Sequence, residues 1–206
     1  MSSQDTPAPA PIGRPRGFAP SEALAAALDV FWRQGYAATS LDDLTAAMRL
    51  SRSSFYACFG SKHDVLMEAV RAYADERFAT LAAIAAAEPD AKAAVRAMLA
   101  AIADAEGGVR GCFFVNSVTE LAPHDPALAA LAQAHIARVV ALMSATLRRL
   151  GCAETVAAER AAAMLAIAIG ATMLRKAGIP AAQITALLAQ ADHLLPSPVR
   201  HEGTAA

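Results

Sequence analysis

The side chains best suited to binding another molecule lie in one short stretch, RSSFY, at residues 52–56. It offers a cation at Arg52, two short hydroxyl side chains and a phenol at Tyr56. Cations and hydroxyls bind phosphate oxygens and base edges, and short side chains allow a helix to enter the major groove of DNA. The stretch therefore predicts a DNA-reading surface, although the solvated face of an ordinary helix pair would have a similar composition.

Two short helices joined by a tight turn are predicted to position these side chains. Apolar residues recur at helical spacing in the first helix, at Leu41, Leu44, Ala47 and Met48. Either Thr39 or Ser40, each followed three residues later by an aspartate, can cap that helix. Ser51 suits the N-cap of the second helix, whose Phe55 and Phe59 are expected to point inward. This arrangement is typical of a helix-turn-helix.

The chain resembles the DNA-binding domain of the TetR/AcrR family of bacterial transcriptional regulators in three segments within residues 13–66: GRPRGF, ALDVFWRQGYAATSLDDLTAAM and SRSSFYACFGSKHDVL. The Gly35-Tyr36 and Ser61-Lys62 steps fall where that family has its signature. At Ala57 and Cys58 many members carry bulkier side chains, which implies fewer phosphate contacts from the end of this recognition helix. The DNA contacts that the resemblance implies are Arg14, Arg16, Thr39, Ser40, Ser51, Arg52, Ser53, Ser54, Tyr56 and Lys62.

Arg14 and Arg16 lie in the arm GRPRG ahead of the first helix. Proline and glycine disfavour a regular helix there. Two arginines on an extended arm could reach into a minor groove, as homeodomain arms do, or form a solvated basic linker. We expect DNA contact because a helix-turn-helix follows the arm.

The chain as a whole predicts an all-α protein. Of its 206 residues 56% are hydrophobic, and the formal net charge is −1, so any basic surface must be local. Without any strand pattern, helices are expected at 20–34, 62–87, 90–106, 112–122, 126–150, 154–177 and 181–194. We predict a disordered leader (1–12), a three-helix helix-turn-helix DNA-binding domain (13–66), a helical ligand-binding and dimerisation domain joined to it by a long helix (67–195), and a flexible tail (196–206).

Composition also limits the class of protein. The three scattered cysteines give no disulfide framework, the first residues do not form a signal peptide, and we expect no apolar run of the roughly 18 residues that span a membrane. These features favour the cytoplasm.

Possible nucleophiles, acids and metal ligands occur at Cys112, Glu120, His124 and His135. Their spacing matches neither a catalytic triad nor a metal site, so we expect no enzyme activity, no metal and no cofactor.

Two further runs, CFFVN at 112–116 and ELAPHDP at 120–126, resemble a regulatory domain from one branch of the same family. The resemblance implies an effector pocket among the middle helices and a dimer formed by the last two long helices, whose apolar faces could otherwise fill the core of one chain. The pocket or sensor is expected at Cys112, Phe114, Asn116 and Glu120. Small residues that would allow close helix approach are Ala162, Ala163, Ala166, Gly170 and Ala171.

These patterns predict a homodimeric transcriptional repressor that binds a palindromic double-stranded DNA operator, contacts no membrane and is released by a small-molecule effector. One alternative is a thiol sensor in which a helix N-terminus and Arg110 favour the thiolate of Cys112. Cys112 could equally be a core residue, since cysteine is often buried. A second alternative is a helical ligand-binding protein without DNA binding.

Overall fold

Helices account for the whole architecture of this computed structural model, which describes residues 19–103 and 108–196. The α-helices are, in chain order, α1 (Pro20–Gln34), α2 (Leu41–Met48), α3 (Arg52–Phe59), α4 (Lys62–Ala87), α5 (Ala91–Ala103), α6 (Phe113–Leu121), α7 (Pro126–Arg148), α8 (Glu154–Lys176) and α9 (Ala181–Ala189). Short 3-10 helices lie at Gly108–Arg110 and Gln190–Leu194. No strand occurs in the described ranges, and the predicted all-α class is confirmed.

Arg14, Arg16, the predicted leader and the tail beyond residue 196 lie outside the described residues. Helices α1 and α4 begin and end where the sequence predicted. Pro20 occupies the first turn of α1, where its missing N–H breaks no hydrogen bond. The helix expected at 181–194 ends as an α-helix at Ala189 and tightens into a 3-10 helix, as helix ends often do.

One hydrophobic core joins the reading head, defined here as α1 to α3, to the helices that follow. Phe31, Leu44 and Phe55 of the head are at most 2% exposed. They belong to the same cluster as Phe113 of α6 and Leu128 of α7. Burying each such side chain contributes roughly 1.5–3 kcal/mol. The domain division at residue 66 stays a prediction, and the hydrophobic core is continuous across it.

A second core lies among α4, α5, α7 and α8, where Met98, Met143 and Leu147 are fully buried. The helix α4 contributes Leu66 to the first core and Leu81 to the second. It has 26 residues and is therefore about 39 Å long. A rigid helix of this length mechanically connects the reading head to the second core.

Helices α7 and α8 are long and apolar. Each contains an 18-residue window that could cross a membrane by length and composition, contrary to our expectation that no run would reach that length. Only 22% of the α7 window and 39% of the α8 window is buried. Such helices are weak evidence for a membrane, because core helices of other proteins share these properties. Apolar side chains remain 38–42% exposed on the two helices at Ile136, Val156, Met173 and Leu174.

The small residues predicted for the dimer interface divide between two faces of α8. Ala171 is fully buried within its own chain, which corrects the prediction for that residue. Ala162, Ala163 and Ala166 are exposed. At Gly170 an added Cβ would meet no described atom within 4 Å. The outer face of α8 is therefore smooth and open.

Candidate nucleic-acid interface and effector cavity

A tight turn at Arg49 joins α2 to α3. The φ of 55° and ψ of 43° at Arg49 are left-handed, a conformation that non-glycine residues seldom adopt. Ser40 caps α2: its hydroxyl accepts from the N–H of Asp43 at 3.0 Å, and the Asp43 carboxylate accepts from the N–H of Ser40 at 2.8 Å. Ser51 caps α3 by accepting from the N–H of Ser54 at 3.1 Å. The predicted helix-turn-helix is thus present, and Ser40 rather than Thr39 forms the first cap.

Two of the predicted DNA contacts are used inside the protein instead. Thr39 is 1% exposed, and its hydroxyl donates to the carbonyl oxygen of Gly35 at 2.6 Å, so the side chain cannot reach a phosphate. The ammonium of half-buried Lys62 donates to the carbonyl oxygen of Thr39 and lies 4.2 Å from the ring centre of Tyr36. Thr39 and Lys62 thus fix the loop between α1 and α2. The burial of Thr39 corrects its prediction, whereas contact of half-buried Lys62 with DNA stays a prediction.

The outer face of α3 presents the side chains that the sequence singled out. Ser53 is exposed beside the N-cap, and the ring of Tyr56 is edge-on to buried Phe55 with 55% of the tyrosine exposed. The Nη2 atom of Arg52 lies 2.7 Å and 3.0 Å from the two carboxylate oxygens of Asp42. This contact raises the pKa of Arg52. Because both side chains are about two-thirds exposed, a phosphate can replace the Asp42 carboxylate.

A carboxylate from α6 holds the loop that precedes α2. Glu120 accepts a hydrogen bond from the N–H of Tyr36 at 3.0 Å and another from the N–H of Ala37 at 2.8 Å. Gly35, which follows α1, has a φ of 81° and a ψ of 170°, a backbone conformation that favours glycine. An added Cβ at Gly35 would lie 3.1 Å from a Glu120 oxygen. Glu120 therefore binds the reading head from the wall of a cavity between the head and α6, and its place in an effector pocket stays a prediction.

A second connection between the head and the α6 region uses Arg110. Its Nη1 atom donates to Asp29 at 2.9 Å, and its guanidinium lies 4.6 Å from the ring centre of Trp32. The indole N–H of Trp32 donates to the carbonyl oxygen of Gly111 at 3.2 Å. Arg110 is thus paired with the head and not with Cys112, contrary to the contact on which the thiol-sensor alternative relied. The thiol of Cys112 accepts from a different group, the Tyr73 hydroxyl, at 3.6 Å.

The four predicted pocket residues divide between two cavities. Cys112 and Phe114 line a cavity of about 60 Å³ among residues of α4 to α8. Asn116 and Glu120 line a second cavity of about 410 Å³ between the head and α6. The Asn116 amide donates to the Arg110 carbonyl at 2.8 Å, and its oxygen accepts from Lys176 at 2.8 Å.

The sequence reasoning missed two polar residues of the cavity, Tyr73 and Arg77, and considered His135 only as a catalytic or metal group. Tyr73 and Arg77 are four residues apart on α4, so one face of a helix carries both. The four-residue spacing could therefore have indicated from the sequence that these two polar side chains lie together. No group of three metal-ligating side chains occurs in the parts of the chain that the structure describes.

A sequence model of bacterial regulatory proteins of the tetR family matches residues 23–69, which contain α2 and α3. The uncharacterized HTH-type transcriptional regulator YezE of Bacillus subtilis (strain 168) is 34% identical over 121 residues, 57% of this chain and 62% of YezE. The HTH-type transcriptional repressor ComR of Escherichia coli (strain K12) is 33% identical over 116 residues, 54% of this chain and 55% of ComR. The matches thus span less than two thirds of either relative.

The likeness to a solved structure extends over more of the chain. A cysteine variant of the TetR family transcriptional regulator CifR, complexed with 26-base-pair double-strand operator DNA, has a TM-score of 0.71 and 28% sequence identity. That match covers 89% of this chain and 98% of the CifR chain. Taken with the helix-turn-helix of α2 and α3, these matches show that residues 23–69 form a DNA-binding region of the kind found in bacterial regulatory proteins of the tetR family, and that the fold of the chain resembles that of CifR.

Proposed function

We propose that this chain is a sequence-specific transcriptional repressor that binds double-stranded operator DNA and is released by a small-molecule effector. The observation that carries the proposal is the capped helix-turn-helix whose α3 holds Arg52, Ser53 and Tyr56 on an exposed face. The similar CifR structure contains operator DNA, and ComR is a repressor by name. A protein acting on bacterial DNA works in the cytoplasm, which we infer as its location.

In this proposal α3 enters the major groove. Arg52 exchanges Asp42 for a phosphate or a base edge, and Tyr56 reaches the backbone or a base from the next turn of the helix. The hydroxyls of Ser51, Ser53 and Ser54 form a cluster with oxygen separations of 2.9 Å at the N-terminus of α3. The positive end of the helix dipole favours a phosphate there. Arg14 and Arg16 stay predicted contacts, since they lie outside the described residues.

A dimer is the second part of the proposal. One helix-turn-helix reads one half-site, and a two-fold protein reads a palindrome. The uncovered apolar surface of α7 and α8, with the open face around Ala166 and Gly170, is where a second copy would pack. An interface of this kind is expected to bury about 2,000 Å² or more in total.

Release of DNA requires a connection between the cavity and the reading head. The segment 108–121 provides one, because it carries Cys112 and Phe114 of the cavity wall together with Arg110 and Glu120, which bind the head. An effector that enlarges the cavity displaces this segment and changes the spacing of the two reading heads. The effect depends on a difference in effector affinity between the DNA-bound and released conformations.

The test is a selection of genomic duplexes by the purified protein in the presence of competitor DNA, followed by transcription in vitro from the selected promoter. A repressor selects discrete sites and lowers transcription from them. A helical ligand-binding protein without DNA binding selects none, and an activator raises transcription; either result would refute the proposal.

A further inference from the structure

The cavity among α4 to α8 has an unusual balance of polar groups. Its lining residues include no carboxylate, and most are aliphatic or aromatic. The polar exceptions are the Cys112 thiol and three nitrogen- or oxygen-bearing side chains, Tyr73, Arg77 and His135. A molecule that fills the cavity must therefore be mainly apolar and must match this small polar set.

Tyr73 and Arg77 both offer hydrogen-bond donors. The Tyr73 hydroxyl donates to the Cys112 sulfur at 3.6 Å, and sulfur is a weak acceptor. Burial, followed by the neighbouring Cys112, raises the pKa of the Tyr73 phenol, so it stays a donor. Arg77 has five N–H groups and no acceptor, and one of them donates to the carbonyl oxygen of Ala101. An oxygen atom in the cavity would give the tyrosine a better acceptor and the arginine a second one.

His135 adds a third polar group to the same wall. Its Nδ1 atom is buried and has no hydrogen-bond partner among the described residues. Burial and then the charge of Arg138 lower the pKa of His135, so the imidazole is neutral at physiological pH. The ring centre of Phe114 lies 4.6 Å from that of His135. A neutral imidazole next to an aromatic ring suits a planar apolar molecule and carries one N–H donor of its own.

We propose, on the basis of the repressor function above, that this cavity binds a small, mainly apolar effector with one acceptor oxygen, as a carboxylate or a carbonyl, and no positive charge. A cation would meet Arg77 with no carboxylate in the lining to offset it. We expect an occupant of about one ring, because the cavity measures about 60 Å³ and a cavity that holds benzene measures about 150 Å³. Even a ring therefore displaces lining side chains such as Phe114.

Four single-ring probes test the chemical class: benzoate, acetophenone, toluene and benzylamine. Their binding is measured by calorimetry and by fluorescence of Trp32, the single tryptophan, whose ring centre lies 5.5 Å from that of Tyr73. We expect benzoate or acetophenone to bind about tenfold or more tightly than toluene, since a hydrogen bond to a charged donor has that effect. Benzylamine should bind more weakly than toluene. The comparison of benzoate with acetophenone identifies which kind of acceptor oxygen the cavity prefers.

Two variants assign the effect to residues. Arg77→Met should weaken binding of the preferred oxygen-bearing probe about tenfold or more and leave toluene unchanged. Tyr73→Phe keeps the ring but removes the hydroxyl, so it should also reduce the preference for the oxygen-bearing probe over toluene. Arg71→Met, an exposed arginine of the same helix outside the cavity lining, is the matched control.

The proposal would be overturned if toluene or benzylamine bound as tightly as benzoate and acetophenone, or if none of the four probes bound. It would also be overturned if both variants kept the full preference for the oxygen-bearing probe over toluene. Operator binding of the same unliganded protein is titrated in parallel. If the protein does not bind operator DNA, the repressor function is contradicted, whatever the outcome with the four probes.

Discussion

The carboxylate of Glu120 lies 2.8 Å from the main-chain nitrogen of Ala37, so a residue of α6 holds the loop that begins the helix-turn-helix. The same carboxylate accepts from Tyr36 at 3.0 Å, and Gly35 leaves space for it. Two adjacent N–H donors fit two carboxylate oxygens well. The position of the reading head is therefore set partly by α6, which also lines the cavity among α4 to α8.

Replacing Glu120 with glutamine tests this connection. Glutamine has one acceptor oxygen, and its NH2 group would face an N–H donor, so one of the two hydrogen bonds is lost. We expect the free energy of unfolding to fall by about 1 kcal/mol and operator binding to weaken or become less sensitive to effector. Urea unfolding and operator titration measure the two effects. Glu76→Gln, an exposed glutamate of α4, is the control, and equal behaviour of the two variants would contradict the assigned role.

Arg52 and Asp42 should have opposite effects on DNA binding. Arg52→Ala removes a cation from α3, so affinity falls and the slope of log K against log salt decreases by about 0.9 for a lost phosphate contact. Asp42→Asn frees the guanidinium and removes a negative charge near the DNA, so affinity rises. Both are read from operator titrations at several salt concentrations, with Tyr56→Phe as a milder variant. Tighter binding by Arg52→Ala, or weaker binding by Asp42→Asn with the fold intact, would contradict this role.

The outer face of α8 should control the oligomeric state. Ala166→Glu places a charge in the expected interface, and Gly170→Leu adds bulk where the surface is open. Both should yield monomers by sedimentation and abolish operator binding, while the helical content stays unchanged. Ala97→Glu, at an exposed alanine of α5, should remain a dimer. The idea fails if the wild-type protein is a monomer at micromolar concentration and still binds operator tightly.

Asp125 gives the fold a defined pH dependence. Its carboxylate accepts from the N–H groups of Ala127 and Leu128 at 3.0 Å and lies 2.6 Å from Nε2 of His63. The hydrogen bond from Leu128, followed by that from His63, lowers the pKa of Asp125 from its ordinary value of 3.8. A depressed pKa means that the charged carboxylate stabilises the fold above that value and that this contribution is lost as the pH falls through the lowered pKa.

We therefore expect Asp125→Ala to lower the free energy of unfolding by about 1 kcal/mol near neutral pH. The difference from wild type should shrink below about pH 4, as the wild-type carboxylate becomes protonated. Urea unfolding across this range measures it, and His63→Gln isolates the part that depends on the histidine. A difference that grows as the pH falls would contradict the assignment.

Local patterns allowed much of the fold to be predicted from the sequence. Caps such as Ser51 and breaks such as the Glu88-Pro89-Asp90 step mark helix ends within a few residues, and the apolar spacing in α2 indicates its buried face. The exposed face of α3 was predicted for the same reason, because consecutive residues are about 100° apart around a helix, so Phe55 is buried while Tyr56 is exposed.

Contacts between distant parts of the chain were not predictable in this way. Glu120 and Ala37 are 83 residues apart, and Arg110 and Asp29 are 81 apart. Periodicity places a carboxylate on a helix face but does not identify the amides it meets in space. Thr39 was wrongly predicted to contact DNA. A hydroxyl at a helix start can donate to a phosphate or to a nearby carbonyl oxygen, and only the packing decides between them.

Sequence-specific DNA binding by α3 can be measured by a competition titration. The best duplex from the genomic selection and a scrambled duplex of the same composition compete for the protein at physiological salt. We expect the selected duplex to bind about 10³-fold or more tightly than the scrambled one, and Arg52→Ala to remove most of that ratio. Binding of the two duplexes within a few-fold of each other would contradict it.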